Sequence, residues 1–370
     1  MLGVPLYLNP SVILLAALIT LLYGNFVRTQ LDLSPPASYL VGLSFVVFLM
    51  GSVLLHELGH ALTARRFGIV VKGITLELLG GYTEMEKDAP NPRVDLLVSV
   101  AGPAVSLVLG VAASVATILL PDRTLPDQFA FQLAFSNLAV AVFNALPGLP
   151  LDGGRALRAV VWAISKDRHL GTEVAGWVGR VLAILTAVVV AALASYGILS
   201  VFGLAFMLLI ALTLWQGAGQ AIRFARMSRR FPLIDLARLA RPVFRVRSGT
   251  PLAEAQRLRA EAQRTGPSPA GDGYTLAVAD SAGRLVGLVD RAAADAVPVE
   301  RRPWIAVDAV ARGIEGVPTI PVGMPGDQVI STVQRNPGST YLVTEGEDVV
   351  GVLHIADLAQ LLEPDRKMKP

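Results

Sequence analysis

Long apolar runs dominate the first two thirds of the chain, and short polar or bent segments punctuate them. Runs at about 11–27, 39–66, 94–120, 129–144, 175–194 and 199–221 approach or exceed the length a helix needs to cross about 30 Å of hydrocarbon. The third is interrupted by Gly102-Pro103. The fourth runs into Asn144-Ala145-Leu146-Pro147-Gly148-Leu149-Pro150-Leu151-Asp152-Gly153-Gly154-Arg155, whose prolines and glycines cannot continue a regular helix. Helix is expected to resume over 156–164. Between the second and third runs the period changes: Ile74, Leu76 and Leu78 alternate with Thr75, Glu77 and Leu79 until Gly80-Gly81. Residues 69–86 therefore predict a strand or hairpin, too short and polar to span. Residues 4–10 read as a short extended lead-in. From about residue 226 the pattern becomes that of a soluble α/β segment.

Composition sharpens this picture. Of 370 residues 53% are hydrophobic and 16% charged, which excludes an ordinary soluble protein. Cysteine is absent, so disulfides, thiolate ligands and a cysteine nucleophile are excluded, and any metal site must use His, Asp or Glu. The N-terminus has neither a basic start nor an A-x-A-like site, so no cleaved signal peptide is expected. The net charge of +3 comes largely from arginines flanking the apolar runs, a pattern of membrane orientation rather than nucleic-acid binding.

One set of run ends carries Arg65, Arg66, Lys72, Lys87 and Arg93, then Arg155, Arg158, Lys166 and Arg168, then Arg223, Arg226, Arg229 and Arg230. The opposite loops offer only Arg28 and Arg123 and the uncharged Ser195-Tyr196-Gly197. Six spans with this bias predict a cell-membrane protein with both termini and the C-terminal segment in the cytoplasm.

The candidate chemistry ends the second run, at His56-Glu57-Leu58-Gly59-His60. H-E-x-x-H sets two imidazoles one helical turn apart, so both reach one cation, and Glu57 is placed to take a proton from the attacking water. A chance match on a helix is the competing reading for so short a motif. Ionisable groups at membrane depth favour function. The charge pattern puts Asp152 at the same end and depth as the histidines. It reads either as a third ligand or as a cap for the following helix, and depth favours the ligand. Asp95 is a weaker rival, expected as a surface charge, and Glu84 and Glu86 are expected in solvent. Asn144 either donates a hydrogen bond to the oxyanion or satisfies backbone freed at the break.

HELGH, the Gly-Gly hairpin, Ala101-Gly102-Pro103 and Asn144…Leu151-Asp152-Gly153-Gly154, in that order, resemble the site-2 protease family of intramembrane zinc metalloproteases. The resemblance covers about 1–225. It is narrowest to the bacterial and archaeal branch with six spans and a C-terminal pair of cystathionine-β-synthase-type (CBS) domains. It implies one zinc per chain on His56, His60 and Asp152, with Glu57 catalytic and a transmembrane protein as substrate. In that family a hairpin edge pairs with unwound substrate; residues 75–82 match its place, a structural hairpin being the alternative reading. Ser106 departs from the Asn that often follows the Gly-Pro motif of relatives, and no PDZ insertion is present.

The C-terminal third repeats weakly. Strand signals at 242–246, 275–279 and 284–289, with a helix at 252–263, are echoed by 318–322, 340–344 and 349–353, with a helix at 328–334. This resembles two CBS domains, at 241–297 and 298–365, after a cytoplasmic linker at 226–240. The expected fold class is an α-helical polytopic bundle of about six transmembrane helices with a membrane-associated β-hairpin, plus a C-terminal α/β tandem CBS module. The module reads as a dimerisation or docking unit, its expected partner a second copy of the chain, giving a homodimer; adenine nucleotide is the competing partner. The ribose-binding turn of CBS domains is matched at Gly351-Val352-Leu353-His354-Ile355-Ala356-Asp357 with His354 in place of Ser/Thr, while the first repeat, with Asp290 and Ala293 there, loses the acidic partner. His354 reads as a packed or exposed histidine rather than a ligand. The competing function is a CBS-regulated ion transporter, since intramembrane His, Glu and Asp beside a broken helix also describe an ion site. A pseudoprotease scaffold is a third.

Overall fold

The computed structural model describes residues 4–78, 80–265 and 273–362; Leu79 of the expected hairpin and the expected module beyond 362 lie outside them. The chain forms two compact units, Met1–Arg226 and Met227–Pro370.

The first unit runs β1 (Leu6–Leu8), α1 (Ser11–Leu31), α2 (Pro35–Arg66), β2 (Val71–Glu77), β3 (Gly80–Met85), α3 (Pro92–Leu119), α4 (Leu125–Ala145), α5 (Asp152–Ser165), α6 (Arg168–Ser195) and α7 (Val201–Ser228). Local chemistry sets several ends. The Asn91 side chain accepts from the Val94 N–H at 3.0 Å, just ahead of Pro92 in the first turn of α3. Asp167 accepts from His169 and Leu170 at the start of α6.

Two expected breaks move. α3 passes through Pro103 without interruption, because α2 and α4 pack along it and an apolar helix tolerates proline where neighbours cover the freed carbonyl. α5 begins at Asp152 rather than 156, so the irregular segment is confined to 146–151 and Gly153-Gly154 form the first turn.

Among the described residues five helices are long and apolar enough to cross a membrane: α1, α2, α3, α6 and α7 from Gly203 on. The remaining long helix, α4, is more polar, since Gln132, Ser136 and Asn137 are all buried in it. Gln132 donates to the Val41 carbonyl at 3.2 Å and accepts from Ser44 at 3.1 Å, and Asn137 donates to Ser52 Oγ at 2.8 Å. These bonds tie α4 to α2, and side-chain pairing of this kind holds helices together where no hydrophobic gradient exists.

The expected lead-in is a strand: β1 lies parallel to β2, and β3 pairs antiparallel on the other side. Val71, Ile74 and Leu76 of this sheet share a core with Val53, Ala61 and Ala64 of α2 and Val94 and Val98 of α3. The sheet therefore packs beside the HELGH end of α2.

In the second unit the expected linker is folded. After a tight turn at Phe231–Leu233, α8 (Leu236–Leu239) follows, and Ile234, Leu236 and Ala240 enter one core with Ile320, Val329, Tyr341 and Leu353. Then come β4 (Arg241–Arg247), α9 (Leu252–Thr265), β5 (Thr275–Ala279), β6 (Leu285–Val289), α10 (Arg291–Ala296), β7 (Ala311–Gly313), β8 (Thr319–Pro321), α11 (Gly326–Arg335), β9 (Thr340–Glu345), β10 (Asp348–His354) and α12 (Ile355–Leu362). The sheet order is β7-β6-β5-β4-β10-β9-β8. β4 runs parallel to β5 and β8 parallel to β9, while β5–β6 and β9–β10 are antiparallel. Each half is thus the same β-α-β-β-α unit, the tandem α/β repeat of a CBS-type module.

Candidate metal centre

The HELGH turn leaves His56 and His60 buried on one face of α2, and α3 and α5 close over them. His56 Nε2 and His60 Nε2 each lie 3.0 Å from Asp152 Oδ2, and 3.2 Å from one another. Among the described residues this is the one group of three His, Asp or Glu side chains with metal-binding geometry. Close approach depends on small residues: a Cβ at Gly102 would collide with both Nε2 atoms. Side chains at Gly153 and Gly154 would strike the backbone of 145–149, so this pair lets the irregular segment fold back on the turn that carries Asp152.

The second ring nitrogens face partners that favour coordination through Nε2. His60 Nδ1 is 2.7 Å from the Val98 carbonyl oxygen, which only accepts, so Nδ1 carries the hydrogen and Nε2 a lone pair. His56 Nδ1 is 3.0 Å from Ser106 Oγ, a hydroxyl that both donates and accepts and that takes the Nδ1 hydrogen when Nε2 is the coordinating atom. With both imidazoles neutral and protonated at Nδ1, three lone-pair atoms face one another in a buried place, a repulsive arrangement that a cation turns into coordination. Zinc bonds of about 2.0–2.1 Å in a tetrahedron separate ligand atoms by about 3.3–3.4 Å. The observed edges are close to that, so the donor set fits zinc.

Glu57, next to His56 on α2, is buried, and its Oε2 accepts from the Thr83 hydroxyl of β3 at 2.7 Å. Asn144 lies in the last turn of α4, half-buried, with no side-chain hydrogen bond among the described residues. Glu84 and Glu86 are exposed as expected, Glu84 pairing with Lys72 at 3.1 Å.

Residues 44–133 and 123–189 match the model of peptidase family M50. A zinc metalloprotease by name, sll0528 of Synechocystis sp., is 31% identical over 367 residues, covering 98% of this chain and 93% of its own. The chain belongs to peptidase family M50. A site-2 protease of Methanocaldococcus jannaschii is similar in structure at 26% identity and a TM-score of 0.45, over 60% of this chain and 92% of that one. A CBS-domain protein of Agrobacterium tumefaciens is similar at 18% identity and a TM-score of 0.24, over 34% of this chain and 88% of that one.

As an M50 peptidase the chain is a zinc metalloprotease and a multi-pass membrane protein. The ion-transporter reading is not favoured. Several residues around this cluster escaped the sequence. Asp95, expected as a surface charge, is buried and forms a two-pronged pair with Arg158 at 2.6 and 2.9 Å. It clamps α3, which carries Gly102, to α5, which carries Asp152. The available signal was Arg158 itself, a charge on the apolar helix that follows the proposed ligand. Ser106 orients His56 in spite of its departure from relatives, and Thr83 reaches Glu57 from the hairpin.

The second unit of this M50 peptidase contains a cleft of about 1130 Å³ lined in part by Arg259, Arg291, Arg312, Thr275, Ser339 and His354. Asp357 is held by Arg241 at 2.8 and 2.9 Å, and Asp290 by Arg312. Burial and the nearby Arg241 hold the half-buried His354 imidazole below its usual pKa, with Asp357 opposing them.

Proposed function

We propose that the chain hydrolyses peptide bonds in or near the transmembrane segments of membrane proteins, with His56, His60 and Asp152 as zinc ligands and Glu57 as general base. The observation that carries this reading is the convergence of three lone-pair atoms beside a buried carboxylate, on a helix long and apolar enough to cross a membrane. Bound zinc supplies Lewis acidity to the scissile carbonyl and to water. Glu57 takes the proton of the attacking water and returns it to the leaving amine. Asn144 donates to the oxyanion from the end of α4. A helical substrate has its backbone groups paired internally and presents no extended bond; pairing with the edge of β3 replaces those hydrogen bonds as the segment unwinds.

Both termini and the C-terminal module lie in the cytoplasm on this reading, as the arginine-rich span ends support. The module joins two copies of the chain, and its arginine-lined cleft suits adenine nucleotide, which competes with Arg241 for Asp357.

Zinc analysis of the parent and Asp152→Ala proteins, paired with cleavage of a single-span test substrate in liposomes, tests the site. The expected result is one zinc per parent chain, with zinc and cleavage lost together in the variant. Full zinc occupancy in Asp152→Ala would contradict the ligand set.

A further inference from the structure

We propose that Thr83 is the positioning residue for Glu57, and that it ties the free edge of β3 to the general base. The inference rests on the protease reading above and adds a residue to it. Backbone directions come first. The Ile74 N–H donates to the Pro5 carbonyl at 2.9 Å, and the Leu76 carbonyl accepts from Asn9 N–H at 2.9 Å, so both residues spend their backbone groups on the β1 side. Alternation then turns Gly73, Thr75 and Glu77 toward β3, where they oppose Glu84, Tyr82 and Gly80. Gly81 and Thr83 are left with N–H and C=O directed away from β2, along an edge that no described strand covers.

The side chains of the same two residues face the base. A Cβ at Gly81 would come within 3.0 Å of Glu57 Cγ, so glycine there leaves room for the glutamate. Two residues on, and hence on the same face, Thr83 Oγ1 donates to Glu57 Oε2 at 2.7 Å. Among the described residues it is the one hydrogen-bond donor to that carboxylate. The Glu57 backbone carbonyl is a second acceptor for the same hydroxyl at 3.2 Å. One hydrogen serves one of them at a time, and the shorter contact goes to the carboxylate. An extended peptide on this edge therefore pairs with the residue that aims the base.

The test compares Thr83→Val, which keeps the shape and loses the hydroxyl, with Thr83→Ser, which keeps the hydroxyl. Both are assayed in liposomes on a single-span test substrate, with zinc content measured. The expected result is a kcat about tenfold lower in Thr83→Val with KM and zinc unchanged, since small misplacements of catalytic groups cost rates of this order or more. Thr83→Ser should stay within about twofold of the parent. A parental kcat in Thr83→Val, a change confined to KM, or equal losses in both variants would overturn the proposal. Full activity of Glu57→Gln would instead remove the protease reading itself, whatever Thr83 does.

Discussion

His60 is oriented from behind. Its Nδ1 hydrogen goes to the Val98 carbonyl, which leaves Nε2 facing Asp152, and Ser106 does the same for His56. Partners of this kind fix ring orientation and raise ligand basicity. In the second unit His354 obeys different physics. Its pKa is lowered in the folded chain, first by burial and then by Arg241, so the unfolded chain binds the proton more readily. The stabilisation from neutral His354 is complete above the unfolded value of about 6.5 and is lost as pH falls below it toward the folded value. Thermal unfolding of the purified chain should therefore shift down between pH 7.5 and 5.5, and by less in His354→Gln. Equal pH dependence in both proteins would contradict this.

At the scale of elements, the site is made by three helices brought to one point, and Asp95–Arg158 is what links two of them. Removing one member of a buried pair strands the other charge, at a cost of about 3–5 kcal/mol. Asp95→Asn should lower the unfolding temperature and the zinc occupancy together. The exchanged pair Asp95→Arg with Arg158→Asp should recover part of both, which measurement of zinc retention on heating would reveal. The grouping of His56, His60 and Asp152 was legible in the sequence because one helical turn brings the histidines together and matched depth adds the carboxylate. The Asp95–Arg158 clamp was not, because 63 residues separate its members and nothing local marks the pair. The same limit hid Thr83, 26 residues from Glu57. Pro103 was misread as a break because local propensity says nothing of the helices that pack around it. The segment 226–240 reads as a linker in sequence because the apolar residues of its second half find partners 80 or more positions away, in Ile320 and beyond.

The whole molecule joins an apolar helical unit to an α/β module, and the proposed sidedness rests on charge alone. The sequence has no cysteine, so single cysteines report topology without background. Cysteines placed at Arg123 and Tyr196 should react with an impermeant reagent from outside intact cells, and those at Lys87 and Arg229 only after permeabilisation. The opposite pattern would invert the orientation. Six long helices were legible as apolar runs, although α4 turned out to be held by buried polar groups rather than by an uninterrupted apolar surface. The repeat in the second unit was legible from its strands, and its seven-stranded order was not, because β4 pairs with β10 across more than a hundred residues.

On the proposed reading Glu57 is the base of a zinc peptidase acting inside the membrane. Cleavage of a single-span substrate in liposomes by the parent and by Glu57→Gln, with zinc measured in both, tests it most directly. One zinc per chain is expected in each protein, with a rate at least about 100-fold lower in the variant, the contribution expected of a positioned base. Cleavage by Glu57→Gln at the parental rate would contradict it.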